Sequence, residues 1–145
     1  MKQFQAIDVI FIFYFSLIFE NVFCAMTMEE LKKAGETMRM ACRGKQPITD
    51  EQMKMIQDGE FPDDRTAKCF LLCIMELTRL IKKGKADIKG ALKQVDLLMP
   101  DDLKEPFKQG IIACEHSADN VKDMCEKAYV GAKCFKENNP KFFFP

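Results

Sequence analysis

Beyond residue 26, apolar positions recur at spacings of three and four between capping residues, which is the pattern of α-helix and leaves almost no strand signal. Thr27-Met-Glu-Glu30 is a capping box: the threonine side chain accepts from the Glu30 amide while the glutamate reaches back, opening a helix predicted to run through Met38. Thr49-Asp-Glu-Gln52 repeats the device, and Gly59 closes that second helix. Asp64 caps a long third helix, predicted from residue 65 to about 83. Its segment Cys69-Phe-Leu-Leu-Cys-Ile-Met75 is apolar nearly all round and belongs in the centre of the fold. Gly84 and Gly90 bracket the next turn, and residues 91–98 form a short helix ended by Pro100. A fifth helix starts at Asp102 or Glu105, because Pro106 cannot sit deep inside it; Leu103, Phe107, Ile111 and Cys114 form its core stripe. Asp119 caps a sixth helix on which Val121, Cys125, Ala128, Ala132 and Phe135 repeat. Asn138-Asn-Pro140 ends it and leaves the tail Lys141-Phe-Phe-Phe-Pro145. The prediction is an all-α domain of six helices with short connections.

The first 24 residues break this pattern. They hold six of the thirteen phenylalanines, begin with a positive Lys2, and carry an uncharged run of eleven residues, 9–19. A bilayer span needs about 20 apolar residues, so the run reads as the core of a secretory signal peptide. Cleavage after Cys24 puts Val22 and Cys24 where small side chains are wanted, whereas cleavage after Ala25 puts bulky Phe23 there. Residues 1–24 are therefore read as signal peptide and 25–145 as the functional domain.

Charge and composition then exclude several classes. The 145-residue chain has 22 Lys+Arg against 22 Asp+Glu, which offers no field for nucleic acid. One histidine, His116, rules out a multi-histidine metal site, and neither metal nor cofactor is expected. Removing the signal peptide leaves six of the seven cysteines, an even number suited to an oxidising route and three disulfides. Catalysis finds no support: a cysteine nucleophile needs a free thiolate and a base, and the carboxylates sit mostly at helix starts, where capping explains them.

Helical geometry constrains the pairing of the cysteines. Cys69 and Cys73 share one helix face about 6 Å apart at Cβ, too far for the ~3.8 Å of a disulfide. Cys125 and Cys134 are separated by roughly 13 Å along the sixth helix. Excluding both pairs leaves about ten of the ~15 pairings open to six cysteines.

The gaps between Cys42, Cys69, Cys73, Cys114, Cys125 and Cys134 are 26, 3, 40, 10 and 8 residues. This spacing resembles the insect odorant-binding proteins of the six-cysteine general odorant and pheromone-binding type, the gaps of three and eight being most specific. The segment Cys125-Glu-Lys-Ala-Tyr-Val-Gly-Ala-Lys-Cys-Phe135 and the phenylalanine-rich end further resemble the alcohol- and pheromone-responsive subgroup. The resemblance implies a six-helix disulfide-linked fold around an internal apolar pocket, with pairs Cys42–Cys73, Cys69–Cys125 and Cys114–Cys134. It implies a carrier, secreted into sensillum lymph, that takes odorants or pheromones to olfactory receptors. The expected partners are a small hydrophobic ligand, a receptor or its membrane surface, and weakly a second copy of the chain. Phe70, Ile74, Leu77, Phe107, Ile111 and Tyr129 are the expected pocket residues, with Phe142, Phe143 and Phe144 folding back as a wall.

Where the subgroup would offer a hydroxyl to a short alcohol, this chain has Phe70, Leu71 and Leu72; only Thr66, Thr78 and Tyr129 carry hydroxyls near the interior. A larger, mostly apolar ligand fits better. Met38, Met53, Met55, Met75, Met99 and Met124 serve either as adaptable pocket lining or as core filler. Tyr129 serves a ligand or satisfies its hydroxyl on backbone. Two other classes compete: a non-olfactory carrier on the same scaffold, and a membrane-active saposin-like protein, which lacks support because a strongly cationic face is missing.

Overall fold

The computed structural model describes residues 25–144; the signal-peptide assignment and its cleavage site lie outside the described residues. Six helices form: α1 Met28–Arg43, α2 Asp50–Gln57, α3 Arg65–Leu77, α4 Ile88–Leu98, α5 Asp101–Ala113 and α6 Met124–Asn138. Both capping boxes close reciprocally, Thr27 with Glu30 and Thr49 with Gln52. At α3 the Asp64 side chain accepts from the Ala67 amide at 3.0 Å.

Five boundaries differ from the sequence expectation, the start of α5 at Asp101 among them. Helix α1 runs past Met38 to Arg43 because Leu31, Gly35 and Cys42 keep one buried face. Helix α3 ends at Leu77, not near residue 83. Arg79 takes a φ of 58°, and residues 81–86 form a two-stranded antiparallel hairpin, β1 Ile81–Lys82 and β2 Lys85–Ala86. The turn residues Lys83 and Gly84 have φ of 50° and 77°, the pair of positive values that a two-residue hairpin turn requires. Helix α4 starts at Ile88, capped by Asp87 onto the Gly90 amide at 3.0 Å, so Gly90 lies inside the helix. Helix α6 is capped by Asp123, not Asp119; Asp119 is engaged instead with His116 Nδ1 at 2.9 Å. In α5, Pro106 occupies the sixth helical position, deeper than expected. The carbonyl deprived of a partner there belongs to exposed Asp102, where water can satisfy it.

Disulfides Cys42–Cys73, Cys69–Cys125 and Cys114–Cys134 are one of the pairings that helix geometry left open. They tie α1 to α3, α3 to the start of α6, and the end of α5 to α6, enclosing 31, 56 and 20 residues of sequence separation. Helices α3 and α6 make the most extensive packing, with α5 on α6, α4 on α5 and α1 on α3.

The core divides into two clusters. The larger holds Phe70, Leu71, Ile74, Ile56, Ala128, Tyr129 and Ala132, with Phe144 packed against it. The smaller joins α1, α4 and α5 through Leu31, Val95, Leu103 and Phe107, with Ile111, Phe135 and Phe143 packed against it.

Candidate ligand-binding site

The tail crosses the seam between the two clusters, and each of its phenylalanines has a separate place there. Phe142 meets Phe61 edge-on at 6.1 Å and Phe135 at 6.1 Å. Phe143 lies 5.8 Å from Phe107, which itself meets Phe135 at 5.3 Å. Phe144 packs against the larger cluster. These separations are those at which ring edges and faces attract, each pair adding roughly 0.5–1.5 kcal/mol beyond burial.

Polar contacts at residues 139–141 set the tail's course. Asn139 is 2% exposed, and its carbonyl accepts from the Phe142 amide at 3.0 Å. Its Oδ1 accepts from the Lys141 amide, also at 3.0 Å. Lys141 Nζ reaches Asp102 Oδ2 at 2.8 Å, a contact that holds the Asp102 carboxyl below the usual carboxylate range. Gly110 on α5 lets this turn approach: a Cβ there would stand 2.9 Å from the Phe135 ring and 3.2 Å from Asn139 Cβ.

Beside the tail runs a groove of about 600 Å³, lined by Phe143 and Phe144, by Glu29, Lys32, Lys33, Glu36 and Arg39 of α1, and by Gln57. The resemblance implies an enclosed apolar pocket; this cavity is a solvent-open groove with a mixed-charge rim. The aromatic side chains of the tail themselves occupy the seam. A second groove of about 320 Å³ lies along Phe61, Lys133 and Lys136.

The expected pocket residues are thus divided. Phe70, Ile74 and Tyr129 are buried in the larger cluster, while Phe107 and Ile111 belong to the smaller. Leu77 is not part of either: it is 43% exposed at the end of α3, where the chain turns away towards the hairpin. The Tyr129 hydroxyl donates to the Phe61 carbonyl at 3.4 Å, and its ring is flanked by Lys68 Nζ at 4.7 Å and Lys133 Nζ at 5.2 Å. Lys68 also pairs with Asp63 and with Glu126, the latter at 2.5 Å; these hydrogen bonds hold its ammonium above the ordinary lysine range. Thr78 spends its hydroxyl on the Ile74 and Met75 carbonyls. Met38, Met53, Met75 and Met124 pack on the larger cluster and Met99 on the smaller.

Sequence reading missed Phe61, Asn139 and the contribution of Phe135. Phe135 continues the α6 stripe, so its inward face was visible, but its position beside the tail depends on α5. Asn139 carried only the sign of a helix stop.

The chain matches the PBP/GOBP family over residues 24–138. It is 39% identical over 121 residues to general odorant-binding protein 72 of Anopheles gambiae, covering 83% of this chain and 100% of that one. It is 34% identical over 123 residues to general odorant-binding protein 19a of Drosophila melanogaster, covering 83% of this chain and 84% of the other. The crystal structure of odorant binding protein 4 of Chrysopa pallens is similar, with 34% identity and a TM-score of 0.74 over 83% of this chain and 99% of that one.

Proposed function

Since the chain belongs to the PBP/GOBP family of non-enzymatic carriers of small hydrophobic molecules, we propose that it takes up apolar odorants or pheromones at the seam under its tail. It would carry them through aqueous lymph to a membrane receptor. The observation that carries this reading is the tail's division between two separate apolar clusters, which makes the seam a place where a ligand can replace protein side chains. The binding residues are then Phe107, Ile111, Phe135 and Phe143 on one side and Phe70, Ile74, Tyr129 and Phe144 on the other, with Phe142 between.

The driving force is burial. At about 25 cal/mol per Å², a ligand hiding ~250 Å² of apolar surface gains roughly 6 kcal/mol before the cost of immobilisation. Aromatic side chains released from the seam forfeit part of that gain, so binding is reversible on the micromolar scale. Six paired cysteines suit an oxidising, extracellular setting, and removal of residues 1–24 on secretion would leave 25–145 as the carrier.

Titration with a fluorescent apolar probe, followed by displacement with long-chain alcohols, esters and aldehydes, tests the reading. Saturable uptake with competitive displacement is expected. A probe that never saturates, and that nothing displaces, defeats the carrier proposal.

A further inference from the structure

One buried polar group at the root of the tail is left over by the contacts described above. Asn139 Nδ2 is buried and has no hydrogen-bond acceptor among the described residues, and Asn139 is the one polar or charged residue among those described that is buried. Buried donors are paired in the great majority of cases, and one left bare costs the fold its desolvation. Nor can the assignment of the amide be exchanged to remove the problem. Oδ1 accepts from the Lys141 amide at 3.0 Å, so the nitrogen is the free end. The unfilled group is therefore a donor, and its missing partner must be an acceptor.

Its surroundings define the rest of that partner. Asn139 packs against Gly110 and lies at the root of the tail whose Phe143 joins the smaller cluster. The other side chains of that cluster are apolar: Leu31, Val95, Leu103, Phe107, Ile111 and Phe135 are hydrocarbon, and Met26 and Met99 add only thioethers, which are weak acceptors and not donors. A single donor in such surroundings orients a ligand without raising the cost of burying the rest of it.

We propose that Asn139 is the polar anchor of the ligand site, its Nδ2 donating to a carbonyl oxygen at one end of a long apolar ligand such as an aldehyde or ester. This deepens the carrier reading and rests on it. A ligand with a carbonyl satisfies Nδ2; a hydrocarbon of the same shape leaves it bare.

The test is a matched pair, dodecanal and 1-tridecene, in which a terminal methylene replaces the oxygen. Each is titrated by probe displacement into the wild-type mature protein and into Asn139→Leu. The ratio of the Kd for 1-tridecene to that for dodecanal is expected to be about five- to tenfold larger in wild type than in the variant. Equal ratios, with both ligands still binding saturably, overturn the anchor and leave the carrier standing; wild-type protein that binds neither ligand overturns both. The wild-type protein supplies a second readout that does not depend on the variant's folding. In its assigned ¹⁵N–¹H spectrum the Asn139 side-chain amide should shift downfield with dodecanal and not with 1-tridecene. An amide that answers both ligands alike, or neither, removes the proposal.

Discussion

Replacing either of two helical glycines by alanine should have opposite effects, and the difference measures how tightly α5 is held against the root of the tail. Alanine in a helix interior gains about 0.5–1 kcal/mol over glycine from backbone entropy. At Gly131, within α6, an added Cβ meets nothing within 4 Å, so that gain stands alone. At Gly110 the same methyl lies 2.9 and 3.0 Å from two Phe135 ring atoms and 3.2 Å from Asn139 Cβ. Overpacking of this kind costs about 1–3 kcal/mol and exceeds the propensity gain, so Gly110→Ala should be destabilised by about 1–2 kcal/mol. For a domain of this size the unfolding entropy makes 1 kcal/mol worth roughly 4 °C. Differential scanning calorimetry should then show Gly131→Ala melting about 2–4 °C above wild type and Gly110→Ala about 4–8 °C below it. Equal rises in both variants would refute the close approach of α5 to Phe135 and Asn139.

Deleting residues 141–145 should speed ligand dissociation in stopped-flow displacement while leaving the far-ultraviolet circular dichroism unchanged; an unaltered off-rate would take the tail out of the site. Lys141 lowers the folded-state value of the Asp102 carboxyl, so the pair stabilises the docked tail fully above the unfolded value near pH ~4 and loses that contribution as pH falls through the folded value. Ligand off-rates should accordingly rise below about pH 4 in wild type, whereas Lys141→Met should be fast already and lack this step; a step of the same size in the variant would exclude Asp102 as its source. Asp123→Ala removes the α6 cap and the Arg65 ion pair and should cost about 1 kcal/mol, while Asp119→Ala stays within roughly 0.5 kcal/mol; the reverse order would return the cap to Asp119. Non-reducing peptide mapping of the chain of residues 25–145 should recover Cys42–Cys73, Cys69–Cys125 and Cys114–Cys134, each worth about 2–4 kcal/mol, and a free thiol would contradict the scaffold.

What the sequence reveals depends on how local the cause is. Thr27 with Glu30 and Thr49 with Gln52 were legible because a capping box closes within four residues. The end of α3 was not: apolar spacing carries on through Leu77 and Ile81, and nothing in the residue type of Arg79 demands the positive φ that ends the helix, although Gly84 marked the turn of the hairpin. Asp119 suits a cap by residue type, but Asp123 has Glu126 three residues on, a sign of a helix start, and the structure uses Asp123 while Asp119 contacts His116. The same limit governs the site. Three adjacent phenylalanines at residues 142–144 announce a tail in need of cover, since so large an exposed apolar patch is uncommon. Which partners cover it, Phe61, Phe107 and Phe135, depends on how α5 and α6 meet. Leu77 shares the apolar face of Phe70 and Ile74 on a helical wheel, yet it is exposed because the helix stops there. Asn139 looks like an ordinary helix terminator until its burial is known.

A ligand seated in the seam between the two apolar clusters, beneath residues 142–144, can be trapped where it lies. Photolabelling the chain of residues 25–145 with a long-chain aldehyde that carries a diazirine near mid-chain, followed by peptide mass spectrometry, locates it. Label is expected on the segments holding Phe107, Ile111 and Phe135 and on the tail, abolished by excess unlabelled aldehyde. Label scattered over the exposed faces of α1, α2 and the hairpin, and indifferent to the competitor, would contradict it.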